Sequence, residues 1–276
     1  MTLLQSFILG IIQGLTEFLP VSSTAHLLIA QHLFGIAASE LTFSFLVIVQ
    51  LGTILSLLIY YGKDIWKIIR GVVASIPGLF RRERAEVGMD TRIGWYILIA
   101  TLPAFIAGYF LKDAVEWLFR TPLLEAGIRL VTASILLLLA EILTRKARGL
   151  DSMTWLDALV IGLFQVIAVF PGASRSGTTI AAGMFRGLDR PSAARFAFLM
   201  SIPVMLGAGA YEMIDVVQMP GLLQFLPLIA VGFIGAALAG WLAIRWFITY
   251  LSRNSLIVFS IYCGGAGALC LASLWL

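Results

Sequence analysis

Two polar stretches interrupt an otherwise apolar chain: Gln13-Gly-Leu-Thr-Glu-Phe-Leu-Pro-Val-Ser-Ser-Thr-Ala-His26 and Gln165-Val-Ile-Ala-Val-Phe-Pro-Gly-Ala-Ser-Arg-Ser-Gly-Thr-Thr179. In the first, Gln13 and Glu17 are four residues apart and share a helix face. Ser22 and Ser23 follow Pro20 where a new helix begins, so Ser22 is either a cap or a ligand donor. Ser23 and His26 then lie one turn apart, a hydroxyl within reach of a base. In the second stretch, Ser174, Arg175, Ser176, Gly177 and Thr178 open a helix after a Pro171-Gly172 break. Glycine lets the backbone approach a ligand, free N–H groups at a helix start bind anions, and a guanidinium fork suits phosphate. If the two stretches meet, they form a cradle for a phosphate or diphosphate beside an activatable hydroxyl.

Such groups are costly at membrane depth, and the chain is built for a membrane. Its 276 residues are 60% hydrophobic and only 12% charged, with a mean hydropathy of +0.98; a soluble domain carries about 25% charged residues. Residues 3–36 read as a re-entrant hairpin, because the apolar run 3–19 stops at Pro20 and the piece after it, 25–36, is too short to cross. Residues 156–190, broken at Pro171-Gly172, read as a second. Full spans are expected at about 43–62, 94–111, 127–144, 196–212, 225–244 and 256–275. The fold class is therefore an all-α polytopic membrane protein with six transmembrane helices and two re-entrant hairpins.

Fifteen of the nineteen basic residues fall in loops on one side of this alternation, seven of them within 63–93. Only Lys112 and Arg120 lie in loops on the other side. That bias places the basic loops in the cytoplasm, both termini outside, hairpin one entering from outside and hairpin two from the cytoplasm. It also makes nucleic acid an unsuitable partner, because the basic residues sit in short loops between apolar runs. The N-terminus lacks the basic segment of a cleaved signal peptide, so the first helix is expected to be retained.

The halves resemble each other. Gly10-x-x-Gln13 matches Gly162-x-x-Gln165, Phe43-x-Phe45-Leu46 matches Phe196-x-Phe198-Leu199, and Leu51-Gly52 matches Leu206-Gly207. One hairpin and three spans per half, an odd number of crossings, turns the second copy upside down. The single integral membrane domain, 1–276, is thus an inverted repeat of about 1–145 and 150–276, a design that builds sites near the midplane.

Simpler roles suit the other polar residues. Gln13 and Gln165 can hydrogen-bond between helices, Arg129 can snorkel from the outer end of its span, and Glu141 can be solvated at the interface. His32 lies beyond the motif. Lys63, Lys67 and Arg70 form the polar face of an interfacial helix. Cys263 and Cys270 read as small buried hydrophobes.

Glu-Phe-Leu-Pro-Val-Ser-Ser-Thr-Ala-His (17–26) and Pro-Gly-Ala-Ser-Arg-Ser-Gly (171–177) resemble the two signature motifs of the undecaprenyl-diphosphate phosphatase family, the bacitracin-resistance proteins. The similarity continues through Val49-Gln50-Leu51-Gly52 and Phe198-Leu199-x-x-Ile202-Pro203 along essentially the whole chain. It implies a bacterial plasma-membrane enzyme that removes the terminal phosphate of undecaprenyl diphosphate, from a site opening outward, and returns the monophosphate to the cell-wall lipid carrier cycle. Bacitracin would compete for that same lipid. The resemblance makes Ser23 the nucleophile, His26 the acid/base group and Arg175 the phosphate clamp, with His26 itself an alternative nucleophile. Gln13, Ser22, Thr24, Ser174, Ser176, Gly177 and Thr178 become substrate-binding residues. A divalent cation, Mg²⁺ or Ca²⁺, is implied; Glu17 would either ligate it or hold His26. Gln13 stands where the family has an acid or glutamine, so one of two possible carboxylates is missing, and Ala25 stands where glycine is frequent. A homodimer is a candidate assembly. The rival reading is a lipid-phosphate transporter or flippase on the same repeat.

Overall fold

Thr2 starts the first helix: its hydroxyl accepts from the Gln5 N–H at 3.2 Å, and the Gln5 side chain accepts from the Thr2 N–H at 2.8 Å. This reciprocal cap opens α1 (Leu3–Phe18), which stops before Pro20. Ser22 caps α2 (Ser23–Leu33), its hydroxyl accepting from the Ala25 N–H. The computed structural model describes residues 1–37, 39–81, 88–118, 122–144, 147–169, 173–218 and 222–274. The expected Pro171-Gly172 break and the loop residues Arg82, Arg84, Arg120, Arg145 and Lys146 lie outside them.

The other helices are α3 (Glu40–Tyr60), α4 (Gly62–Arg81), α5 (Met89–Leu118), α6 (Pro122–Leu143), α7 (Trp155–Val169), α8 (Arg175–Phe185), α9 (Arg190–Val217), α10 (Leu222–Leu251) and α11 (Ile257–Ala272). Among the described residues there is no strand, only an isolated bridge between Arg148 and Leu188. Among the described residues, five helices are long and apolar enough to cross a membrane: α3, α5, α6, α9 and α10. Several run well past the spans expected from hydropathy, because charged residues such as Asp90, Arg92, Arg190 and Arg195 continue the helix beyond its apolar stretch. α11 has 16 residues, about 24 Å at the helical rise and short of the ~30 Å hydrocarbon core. Exposed apolar side chains, among them Leu102, Leu138, Ile234 and Leu238, project from the long helices.

Small residues set the packing. A Cβ at Gly10 in α1 would lie 2.2 Å from the Gly232 carbonyl oxygen of α10, and one at Gly162 in α7 would lie 2.4 Å from the Ala100 carbonyl of α5. The second matched pair behaves alike: Gly52 in α3 abuts the Phe233 carbonyl of α10, and Gly207 in α9 abuts the Phe105 ring of α5. Each hairpin therefore packs on a long helix of the opposite half of the chain. With no hydrophobic drive between helices in lipid, such backbone approach and interhelical hydrogen bonds supply the adhesion. Ser6 donates to the Leu228 carbonyl and Ser56 to the Ala237 carbonyl at 2.7 Å, fastening α1 and α3 to α10. Between α6 and α11, Ser134 and Ser260 each donate to the other's carbonyl at 2.7 Å.

Gly10→Ala and Gly162→Ala are expected to lower thermal stability in detergent through overpacking worth about 1–3 kcal/mol. Gly108→Ala, with open space around its Cβ, serves as the neutral control. Unfolding temperatures for Gly10→Ala and Gly162→Ala equal to the control's would show that the close crossings add no stability.

Candidate active site

The two hairpin tips meet. Ser176 at the start of α8 donates to the Leu19 carbonyl at the end of α1, 3.0 Å away. Arg175 donates from Nη2 to Glu17 Oε1. The Glu17 side chain is only 5% exposed and that of Arg175 20%, so the ion pair is largely withdrawn from solvent. Behind it, Phe18 packs edge-on against Phe198 of α9 at 5.3 Å.

Glu17 is the hub of this junction. Its Oε2 accepts from Gln13 Nε2 at 2.8 Å and from the Ser23 hydroxyl at 2.5 Å, while Oε1 takes Arg175. The α1 face shared by Gln13 and Glu17 is used as their spacing predicts. Ser23 departs from expectation. No hydrogen bond joins it to His26; its hydroxyl reaches back across the Leu19–Ser22 turn to Glu17 instead. Of the two roles expected for Glu17, holding His26 or a metal, the first is not seen: its carboxylate accepts from Ser23 and not from His26.

The reason lies in the backbone at Ser22, the one non-glycine residue with positive φ among those described (φ 66°). Such a conformation costs on the order of 1–3 kcal/mol and persists where its surroundings enforce it. The Ser22 carbonyl accepts from the His26 backbone N–H at 3.3 Å and lies 2.8 Å from His26 Nδ1. His26 Nε2 faces the Tyr262 hydroxyl of α11 at 2.7 Å. Both ring nitrogens are engaged away from Ser23.

In hairpin two, Ser174 caps α8, its hydroxyl accepting from the Gly177 N–H at 3.3 Å and its carbonyl from the Thr178 N–H at 2.8 Å. The Ser174 and Ser176 hydroxyls are 3.4 Å apart. A Cβ on Gly177 would press on the Ser174 side chain at 3.3 Å, so glycine keeps this turn close to its cap. The Thr178 hydroxyl is buried without a partner among the described residues, and Thr24 is half-buried in the first turn of α2. At the far end of the hairpin, buried Asp157 accepts from Arg148, Arg186 and Thr154, tying the start of α7 to the end of α8.

Four other sequence readings change. Arg129 does not snorkel: it is buried, bonded through Nε to Glu125 at 2.8 Å, and its Nη1 donates to the Ala173 carbonyl beside Ser174 at 3.1 Å. Glu141 is not solvated: it forks onto Arg190 and accepts from the Leu256 N–H at 2.6 Å. Gln13 bonds within its own helix, and the Gln165 amide is buried with no partner among the described residues. Cys263 is a buried thiol as expected, but it also donates weakly to the Pro20 carbonyl, 3.7 Å away. His32 is exposed at the end of α2, clear of the site. Sequence reasoning missed Arg129, Tyr262 and Cys263 as tip contacts. The arginine at membrane depth was the one signal that could have found its member of the set.

The family model described as "Bacitracin resistance protein BacA" matches residues 6–269. The chain belongs to this family. An undecaprenyl-diphosphatase from Syntrophobacter fumaroxidans is 39% identical over 266 residues, covering 95% of this chain and 94% of that protein. One from Myxococcus xanthus is 40% identical over 274 residues, covering 99% of this chain and 90% of the other. One from Rubrobacter xylanophilus is 40% identical over 275 residues and 99% of both chains. The matched region contains both tips, so in this BacA family member the Glu17–Arg175 junction lies inside the family's own domain.

Proposed function

We propose that this chain is a multi-pass enzyme of the bacterial plasma membrane that hydrolyses undecaprenyl diphosphate to undecaprenyl phosphate and inorganic phosphate. The observation that carries the chemistry is the Ser23 hydroxyl donating to Glu17 at 2.5 Å, with Arg175 of the opposite hairpin on the same carboxylate. A hydroxyl already bonded to a carboxylate has its proton acceptor in place, and a carrier of anions has no use for that. Ser23 Oγ attacks the terminal phosphorus, its proton passes to Glu17 Oε2, and the bond to the bridging oxygen breaks as undecaprenyl phosphate leaves. Water then hydrolyses the phosphoserine and releases phosphate, restoring Ser23. Arg175 and the N–H groups opening α2 and α8 stabilise the charge on the transferring phosphoryl group. Gln13, Ser22, Thr24, Ser174, Ser176, Gly177 and Thr178 shape the cradle. His26 is the second acid/base group, serving the leaving oxygen or the incoming water. The polyprenyl tail stays in lipid, the monophosphate returns to the carrier cycle, and consumption of the diphosphate removes the lipid for which bacitracin competes.

The divalent cation would find Glu17 as its one carboxylate here. That carboxylate already accepts from Gln13, Ser23 and Arg175, and no cluster of three His, Cys, Asp or Glu side chains occurs among the described residues. A guanidinium on the only carboxylate of the two tip stretches, 13–26 and 165–179, opposes a second cation, so these residues do not fit a protein-held metal. Mg²⁺ or Ca²⁺ would come with the diphosphate oxygens. Mn²⁺ used as a paramagnetic probe is expected to bind the protein only when a polyprenyl diphosphate is also present. Tight binding to the protein alone would restore Glu17 as a ligand.

Six crossings, two re-entrant hairpins and an inverted repeat complete the proposal. Their support is the loop-charge bias and the reciprocal packing of Gly10 with Gly162 and Gly52 with Gly207 against α10 and α5. Single cysteines in 63–93, on a cysteine-free background, are expected to resist an impermeant thiol reagent in intact cells, whereas those in 35–42 react. Labelling of 63–93 from outside would invert the arrangement and close the site to the outside.

Phosphate release from a long-chain polyprenyl diphosphate by the purified protein tests the activity. Lipid movement across liposomes with no phosphate release would favour the flippase.

A further inference from the structure

Tyr262 comes from the last helix, an apolar element that carries none of the family motifs, yet it ends on the motif histidine. Its hydroxyl lies 2.7 Å from His26 Nε2, and the two rings are nearly parallel, 14° apart with centroids at 5.7 Å. The neighbouring residue, Cys263, donates to the Pro20 carbonyl of the same tip. The register of α11 is itself fixed by the reciprocal Ser134–Ser260 bonds, two residues before Tyr262. An aromatic belt residue at the interface would need none of this alignment.

Bond polarity then assigns the proton. The Ser22 carbonyl can only accept, so at 2.8 Å it fixes the proton on His26 Nδ1. In the neutral ring the lone pair is therefore on Nε2, and any proton His26 takes or gives during the reaction passes through that atom. A phenol hydroxyl can serve both states: it donates to Nε2 in imidazole and accepts from Nε2–H in imidazolium. A carbonyl or an ammonium could serve only one. The phenylalanine isostere would keep the ring stacking and lose this service.

We infer that Tyr262 is the positioning residue that holds His26 Nε2, in a fixed tautomer, for proton transfer during phosphate release. This rests on the reading of His26 as an acid/base group, and the experiment separates the two. The chain has only two histidines, His26 and the exposed His32, so ¹⁵N-histidine labelling of the full-length protein in detergent gives one site signal and one internal control. The expected result is an Nδ1–H tautomer at His26 in the wild type. Tyr262→Phe should shift the His26 nitrogen signals and leave those of His32 in place. In phosphate release, Tyr262→Phe should lower kcat about tenfold to a hundredfold, the range of a lost hydrogen bond to a charged group, with KM within about twofold. Tyr262→Phe added to His26→Gln should cost nothing more, because both act through one atom. An Nε2–H tautomer at His26, signals indifferent to Tyr262→Phe, or a double variant with multiplied losses would overturn the inference. So would full turnover in Tyr262→Phe with loss only in Tyr262→Leu, which would reduce Tyr262 to packing. Full turnover in His26→Gln would overturn the acid/base reading and this role with it, even where the nitrogen spectra show the contact to be real.

Discussion

Ser23→Ala is expected to lower phosphate release by about 10²- to 10³-fold or more, with the protein still folded, because the variant removes the attacking atom and leaves the cradle intact. Glu17→Gln should fall by a similar factor: an amide cannot take the Ser23 proton, although it can still meet Gln13 and Arg175. Gln13→Ala should be milder, since Gln13 only donates one bond to Glu17 Oε2 at 2.8 Å. The three variants form an ordered series through one carboxylate, with Ser23→Ala and Glu17→Gln similar and both far below Gln13→Ala. The case that would sink the assignment is Ser23→Ala with turnover within about twofold of wild type while His26→Ala is inactive. The serine would then be only the first residue of α2, and the histidine would be the nucleophile. His26 is less suited geometrically, since its ring nitrogens face the Ser22 carbonyl and the Tyr262 hydroxyl.

That two interrupted helices would bring their polar tips together was legible in the sequence, because a glutamate and an arginine flanked by apolar runs have few other ways to be buried. The helix ends at the tips were legible for local reasons: Pro20 follows the end of α1, and Ser22 and Ser174 are helix-capping types. Which hydroxyl would meet which base was not legible. One-turn spacing makes Ser23 and His26 neighbours on a regular helix, but the positive φ of Ser22 turns the chain so that Ser23 reaches α1. No residue type announces such a turn in advance. Tyr262 and Arg129 were missed for a different reason. Each acts across more than 40 residues of sequence, on His26 and on the Ala173 carbonyl respectively, and only the packing of α6 on α11 brings them to the tips. Glu141 is the converse case. A carboxylate near a helix end reads as solvated until Arg190 and the Leu256 N–H, from elements far along the chain, close over it.

Arg175 gives the second large expected effect, and one that needs separating from folding. Its guanidinium already spends one nitrogen on Glu17, and the fork leaves other N–H groups to grip a phosphate in the same plane. Arg175→Lys should therefore lose about 10²-fold or more in phosphate release, because a single ammonium cannot hold Glu17 and span two phosphate oxygens. Arg175→Met should lose at least as much, and should also lower thermal stability by leaving the buried Glu17 carboxylate without its counter-ion. Glu17→Gln combined with Arg175→Met removes both charges, so most of the stability should return. Activity should not. Because Glu17→Gln alone already removes the acceptor of the Ser23 proton, the double variant reads stability. Arg175→Lys, which keeps a counter-ion for Glu17, separates the clamp from the clasp if it stays stable and still loses phosphate release. Recovery of turnover along with stability in the double variant would mean that the pair merely fastens the hairpins together, and that the phosphate is held by the helix N-termini without the arginine.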